Sequence, residues 1–292
     1  MKPAPFDFVS PRTVGEVVSL LKEHKADAKL IAGGQSLMPL LNMRLARPGI
    51  LIDLSKVAGL DHIREIDGGL AIGAMTCQRA VERSPLVKSR QPLLHEGTRF
   101  IAHPQIRNRG TIGGSLAHAD PAAVYPAVAV ALGAELKVVG PAGERTIDAG
   151  DFFVSYLTTA LEPDEVLTEV HFPVVAGRTG WSFMEISRRH GDFALTGIAA
   201  TVTLKNGGQC SAARIVLFGV GATPVRAWKA EQVIVGEKPS DKLLEQAAER
   251  VNDDIDEPLS DIHASAEYRR HLSRVLARRG LAAALERAAA AK

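Results

Sequence analysis

The chain has few cysteines. Among 292 residues there are two, Cys77 and Cys210, isolated and far apart. Such a pair builds no disulfide framework, no zinc site and no iron–sulfur cluster, which draws on about four clustered thiolates. Any metal chemistry tied to this chain is therefore expected on another one. No run approaches the ~18–20 apolar residues of a membrane span. The opening Met-Lys-Pro-Ala-Pro-Phe-Asp has no apolar signal-peptide core, so the cytoplasm is the expected location. A net charge of +2 is too small for a dedicated nucleic-acid binder. Also missing are a G-x-G-x-x-G opening a helix and a G-x-x-x-x-G-K-[ST], which argues against a Rossmann unit or a P-loop. What remains is ordinary globular composition, 46% apolar and 23% charged, in a length that suits two or three modules.

The pattern along the chain is mixed. Ser10-Pro11 can open a helix, and Thr13 with Glu16 offers a competing capping-box register ahead of Val14, Val17, Val18 and Leu21. Ala28 to Ala32, Gly49 to Leu54 and Leu70 to Met75 read as short strands, so the first 55 or so residues resemble a small α/β unit. Further helices are expected at Glu96 to His103 and Pro121 to Leu132. Glu135 to Val139 and Arg145 to Ile147 read as a hairpin, and Val166 to Phe172 as a strand. The stretch Pro173 to Gly180 has little core pattern and is taken as a boundary. Beyond it, Trp181 to Ser187, Gly197 to Leu204 and Ala212 to Val220 are expected to form a three-stranded antiparallel sheet. Helices at Asp241 to Val251 and Ala264 to Ala290 follow. The last helix is Arg-rich and reads either as a solvated cover for that sheet or as a docking surface.

Two segments carry the chemistry. The first is Lys29-Leu30-Ile31-Ala32-Gly33-Gly34-Gln35-Ser36-Leu37. The second runs from Gln105-Ile106-Arg107-Asn108 to Thr111-Ile112-Gly113-Gly114-Ser115. Each has a double glycine flanked by hydroxyls. Without Cβ atoms, such a loop can bring backbone N–H groups close to a phosphate. Lys29 adds charge. Two such loops could grip a pyrophosphate from both ends, or each pair could simply make a tight turn. Gly219-Val220-Gly221 reads as a strand end or a turn.

With these motifs the chain resembles the FAD-binding medium subunit of the molybdenum hydroxylase family, the carbon monoxide dehydrogenase and xanthine dehydrogenase group. The resemblance extends to Ala117-His118-Ala119-Asp120-Pro121 and Arg188-Arg189…Gly191-Asp192. It implies an α+β architecture: a two-subdomain PCMH-type FAD-binding fold over residues 1–176, divided near 55/56, followed by a C-terminal domain over 177–292. It implies FAD contacts from Lys29, Leu30, Ile31, Ala32, Gly33, Gly34, Gln35, Ser36 and Leu37. Thr111, Gly113, Gly114 and Ser115 would add backbone and hydroxyl contacts. Ile101, Ala102, Leu167 and Phe193 would lie beside the flavin, although Phe193 could equally be a core aromatic. His118, with His103 and Asp120 nearby, would either hydrogen-bond the flavin or brace the loop. Relatives often carry Asp where Val124 stands, facing the ribityl chain, and a Lys near Met184 or Glu185; this chain has neither. No catalytic residue and no metal ligand is implied here.

The resemblance implies that molybdopterin and [2Fe-2S] clusters sit on a large and a small partner subunit, in a dimer of heterotrimers. Electrons would pass from those clusters through this FAD to an external acceptor. Two other readings stay open: a self-sufficient FAD-dependent oxidase or reductase of the same fold, and a non-catalytic assembly subunit.

Overall fold

A computed structural model describes residues 2–291. The first body is a three-stranded parallel sheet. Its order is Asp7–Val9, Ile50–Asp53, Ala28–Ile31. The all-apolar Ile50-Leu51-Ile52 is the buried central strand, as expected for a parallel strand covered on both faces. Helix Val14–His24 starts at Thr13, whose side chain accepts from the Glu16 N–H while Glu16 reaches back. The second of the two capping registers is therefore the one used. The helix buries Val17 and Leu21 against Ile52 and Leu60.

The second body is a five-stranded antiparallel sheet in the order Ile63–Ile66, Gly69–Gly73, Val166–Pro173, Glu135–Gly140, Gly143–Asp148. Its first strand has no full hydrophobic alternation and was not expected from the sequence. Helices Pro92–Thr98, Ile112–His118 and Val124–Leu132 pack on the sheet. The helix expected over Glu96 to His103 ends at Thr98. Beyond it Ala102 has a positive φ of 41°, which breaks helical geometry. The helix expected from Pro121 begins at Val124, because Asp120 Oδ1 accepts from the Ala122 N–H at 2.8 Å and makes a turn there.

The C-terminal sheet has four strands, not three: Thr179–Ser187, Ala194–Leu204, Cys210–Phe218 and Val225–Arg226. The fourth has two residues, too few to show a period. Both faces of this sheet are buried, and alternate residues choose between them. Phe183, Ala199, Val216 and Phe218 pack toward the second body. Ile198, Ala200, Ile215 and Leu217 pack under helices Trp228–Ile234, Asp241–Arg250 and Ala266–Ala290. The long helix thus covers the sheet; of its arginines Arg269 is buried and donates from Nη1 to the Gly219 carbonyl at 2.8 Å. Near its end Arg287 Nη1 donates to Glu96 Oε2 at 2.7 Å and to the Trp181 carbonyl at 2.9 Å. Trp181 Nε1 donates to the same carboxylate at 3.0 Å. This clasp ties the last helix to the second body. Among the described residues, no helix is long and apolar enough to cross a membrane.

Candidate functional site

The first glycine loop leaves the strand Ala28–Ile31 and turns at Gly34. There φ is +72°, a conformation that favours glycine. The N–H groups of Gly33, Gly34, Gln35, Ser36 and Leu37 make no hydrogen bond to any described residue. The Ser36 hydroxyl, at the start of helix Leu37–Asn42, does not cap it. Gln35 Nε2 closes the turn on the Gly33 carbonyl at 3.0 Å. Lys29 is exposed beside the loop.

The second loop is built otherwise. Thr111 caps helix Ile112–His118, its Oγ1 accepting from the Gly114 N–H at 3.0 Å. The N–H of Ile112 donates to the Thr76 carbonyl at 3.1 Å, that of Gly113 to Ala74 at 2.8 Å, and that of Ser115 to Thr111 at 3.2 Å. These glycines answer to protein neighbours. A Cβ on Gly113 would lie 2.5 Å from the Ala74 Cβ. A Cβ on Gly114 would lie 2.8 Å from the capping Thr111 Oγ1. A Cβ on Gly33 would overlap the Arg109 carbonyl. At these three positions the missing Cβ also lets the two loops and the middle sheet approach one another.

Arg107, at the start of the second segment, is buried. It donates to both oxygens of Glu82, at 3.0 and 3.2 Å, and from Nη1 to the carbonyls of Ile101 at 2.7 Å and Ala102 at 3.1 Å. Burial opposes ionisation of Glu82, but Arg107 and Arg79 outweigh it and hold the carboxyl below its usual range. The pair fixes the strained turn at Ala102. In the sequence Arg107 stood out only as part of a motif.

The two loops converge on one cavity of about 770 Å³, within the ~300–1,000 Å³ range of small-molecule sites. Lys29, Leu30, Ala32, Gly33, Gly34, Gln35, Ser36 and Leu37 line it, as do Thr111, Gly113, Gly114 and Ser115. So do Ile101, Ala102, His118, Val124, Leu167 and Phe193. Of the expected site residues only Ile31 is outside the lining; its Cδ1 packs against Gly34. Val124 is 6% exposed and belongs to the apolar core, with its Cγ1 against Gly97. Phe193 is 64% exposed at the cavity wall and is not a core aromatic. Burial lowers the His118 pKa, against the pull of Asp120 and with help from Lys29. His103 lies against Gly191 and His190, bracing the turn that carries Asp192 and Phe193 to the wall.

One lining residue had no motif to announce it. Glu185 stands on the C-terminal sheet, and burial pushes its carboxyl up to about 7. Strand parity with Trp181 and Phe183 was the available signal. A larger cleft, about 1170 Å³, lies between Arg214, Arg226, Trp228 and the segment Asp253 to Glu257. None of the expected site residues reaches it. The smaller cavity is the functional candidate because both glycine loops meet there.

The family model described as "FAD binding domain in molybdopterin dehydrogenase" matches residues 4–175, and that for "CO dehydrogenase flavoprotein C-terminal domain" matches residues 181–284. The chain is 44% identical to the 6-hydroxypseudooxynicotine dehydrogenase complex subunit alpha of Paenarthrobacter nicotinovorans, covering 99% of this chain and 97% of that protein. It is 40% identical to the carbon monoxide dehydrogenase medium chain of Hydrogenophaga pseudoflava, over 99% and 100% of the two chains. A solved structure of carbon monoxide dehydrogenase from that organism, lacking the Mo-pyranopterin moiety of the molybdenum cofactor, superposes with a TM-score of 0.96 at 40% identity, covering 98% of this chain and 99% of that one. Quinoline 2-oxidoreductase of Pseudomonas putida 86 gives 0.93 at 38% identity, covering 99% of each chain.

Proposed function

Because the chain belongs to the FAD-binding medium subunits of the carbon monoxide dehydrogenase and molybdenum hydroxylase family, we propose that it is the electron-relaying flavoprotein of a three-component hydroxylase. One observation carries the reading. Five successive N–H groups, Gly33 to Leu37, lie without protein partners on the wall of a cavity large enough for a dinucleotide. Each residue is half-buried; donors left free in a row at a cavity wall suit a ligand with several acceptors, and a pyrophosphate supplies them.

FAD, the cofactor of this family, supplies electron transfer; the protein supplies orientation and electrostatics. The first loop, with the Ser36 hydroxyl and Lys29, would hold the phosphates. Ile101 and Ala102, held by Arg107, would form an apolar wall with Val124 and Leu167. Phe193, on the C-terminal sheet side, would cover the opening and govern access. The chain would divide into an FAD-binding domain over 1–176, itself split near 55/56, and a C-terminal domain over 177–292; the three separate main sheets support that division. The organic substrate would be hydroxylated on a large molybdopterin subunit. Electrons would arrive through [2Fe-2S] clusters on a small subunit and leave for an external acceptor, within a cytoplasmic dimer of heterotrimers. The names of the relatives, a medium chain and a complex subunit, support a multi-subunit setting. The two isolated cysteines support placing the clusters elsewhere.

Purification of the native protein tests this. The expected result is co-purification with a large and a small chain in equal stoichiometry, and one FAD per chain that acid precipitation releases entirely. Yellow colour retained in the pellet would overturn noncovalent binding. Substrate turnover by the isolated, FAD-loaded chain would favour a self-sufficient flavoenzyme.

A further inference from the structure

On strand Thr179–Ser187, Trp181 and Phe183 face the second body, whereas Met184 and Ile186 pack under the helices. Alternation puts Glu185 on the face of Trp181 and Phe183, where the strand has run beyond the packed core to the cavity wall. Its neighbour across the sheet is Gly197, which has no side chain to offer. Burial is the only influence on its carboxyl, without a hydrogen bond or a charge near enough to act. The other titratable groups on the cavity walls are Lys29, His118, Asp120, Glu162, Glu165 and Asp192. Glu165 is engaged by Arg145 at 2.7 Å. The turn beside Glu185 adds Arg188, Arg189 and His190, all exposed.

An unpartnered carboxylate is costly to bury, and an incoming anionic dinucleotide makes it costlier by removing water and adding like charge. The protonated acid escapes both costs and offers an O–H donor to the ligand. We propose that Glu185 is a proton-holding residue of the FAD site, which binds the cofactor as the neutral acid and so takes up a proton from solvent when FAD enters. This rests on the FAD reading above. Before binding, the carboxyl titrates near neutrality. A bound-state value one unit higher gives uptake of about half a proton per FAD at about pH 7.5, and a Kd that rises about fivefold from about pH 6 to about pH 8.

The test uses the full-length chain freed of flavin. FAD is titrated calorimetrically in two buffers of different ionisation enthalpy, with wild type, Glu185→Gln and Glu185→Asp. Wild type is expected to take up about half a proton. Glu185→Gln is expected to take up none above pH ~6.5 and to bind with a flat pH profile; Glu185→Asp is expected to retain uptake. His118 titrates below its usual ~6.5, so its share falls outside this window and is common to all three proteins. Equal uptake in wild type and Glu185→Gln would overturn the proposal, as would no uptake by wild type, whatever the variants do. If wild type binds no FAD at any pH, the FAD reading falls and this proposal with it.

Discussion

Between Gly33 and Leu37 five consecutive N–H groups on the cavity wall have no protein partner, whereas from Ile112 to Ser115 every N–H is already bonded within the chain. The same contrast holds for hydroxyls. Ser36 caps nothing, while Thr111 caps the helix behind it. It holds for cations as well: Lys29 is exposed, while Arg107 is consumed by Glu82 and two carbonyls. Two loops with nearly the same letters thus divide the work. One leaves its N–H groups without a protein partner at the cavity wall; the other is bonded into the protein behind it. A double glycine signals close approach, but the approaching partner can be protein or phosphate.

The sharpest way to break this comparison is through the glycines that hold the loops together. Gly33→Ala and Gly113→Ala force a Cβ into backbone or packed side chain. Each is expected to cost about 1–3 kcal/mol in denaturant unfolding, with loss of flavin. Unchanged stability in either would mean that the loops are not mutually packed. Paired hydroxyl deletions come next. Ser36→Ala is expected to leave stability unchanged and weaken FAD binding about tenfold or more, since a hydrogen bond to a charged group contributes about 1.5–3 kcal/mol. Thr111→Ala is expected to reverse that pattern, losing about 1 kcal/mol of stability with its cap. Equal effects of the two on flavin affinity would erase the distinction between the loops. The smallest effect is electrostatic. Lys29→Met is expected to weaken FAD binding about threefold at low salt, with the difference fading as screening shortens to ~3 Å at about 1 M. A salt-independent loss would show that Lys29 acts by contact rather than by charge.

Much of the architecture was legible because it rests on long periodic segments. The hairpin of Glu135–Gly140 and Gly143–Asp148 is marked by its alternating first strand and by the turn Pro141-Ala142-Gly143, the strand Val166–Pro173 by alternation, and the last helix by its proline-free length with Leu272, Leu276 and Leu281. Elements without room for a period escaped: Ile63–Ile66, the two-residue strand Val225–Arg226, and helix Trp228–Ile234. The end of helix Pro92–Thr98 was misplaced because the positive φ of Ala102 is imposed from outside, by Arg107 drawing on the carbonyls of Ile101 and Ala102. For the site, motif recognition located the loops but not their division of labour, which depends on the partner of each N–H. Glu185 lay beyond motif reading altogether: its position matters only once the C-terminal sheet is folded onto the second body.

The clasp between Arg287, Glu96 and Trp181 has a meaning for the order of folding. Arg287 and Glu96 lie 191 residues apart in the sequence, and closing so long a loop costs entropy that nearer contacts do not. The helix of Arg287 covers the sheet that carries Glu185 and leads into Phe193. One wall of the cavity is therefore fastened by a contact between distant parts of the chain, and a chain cut before Arg287 would be left with a cavity that has a floor and no fastened side.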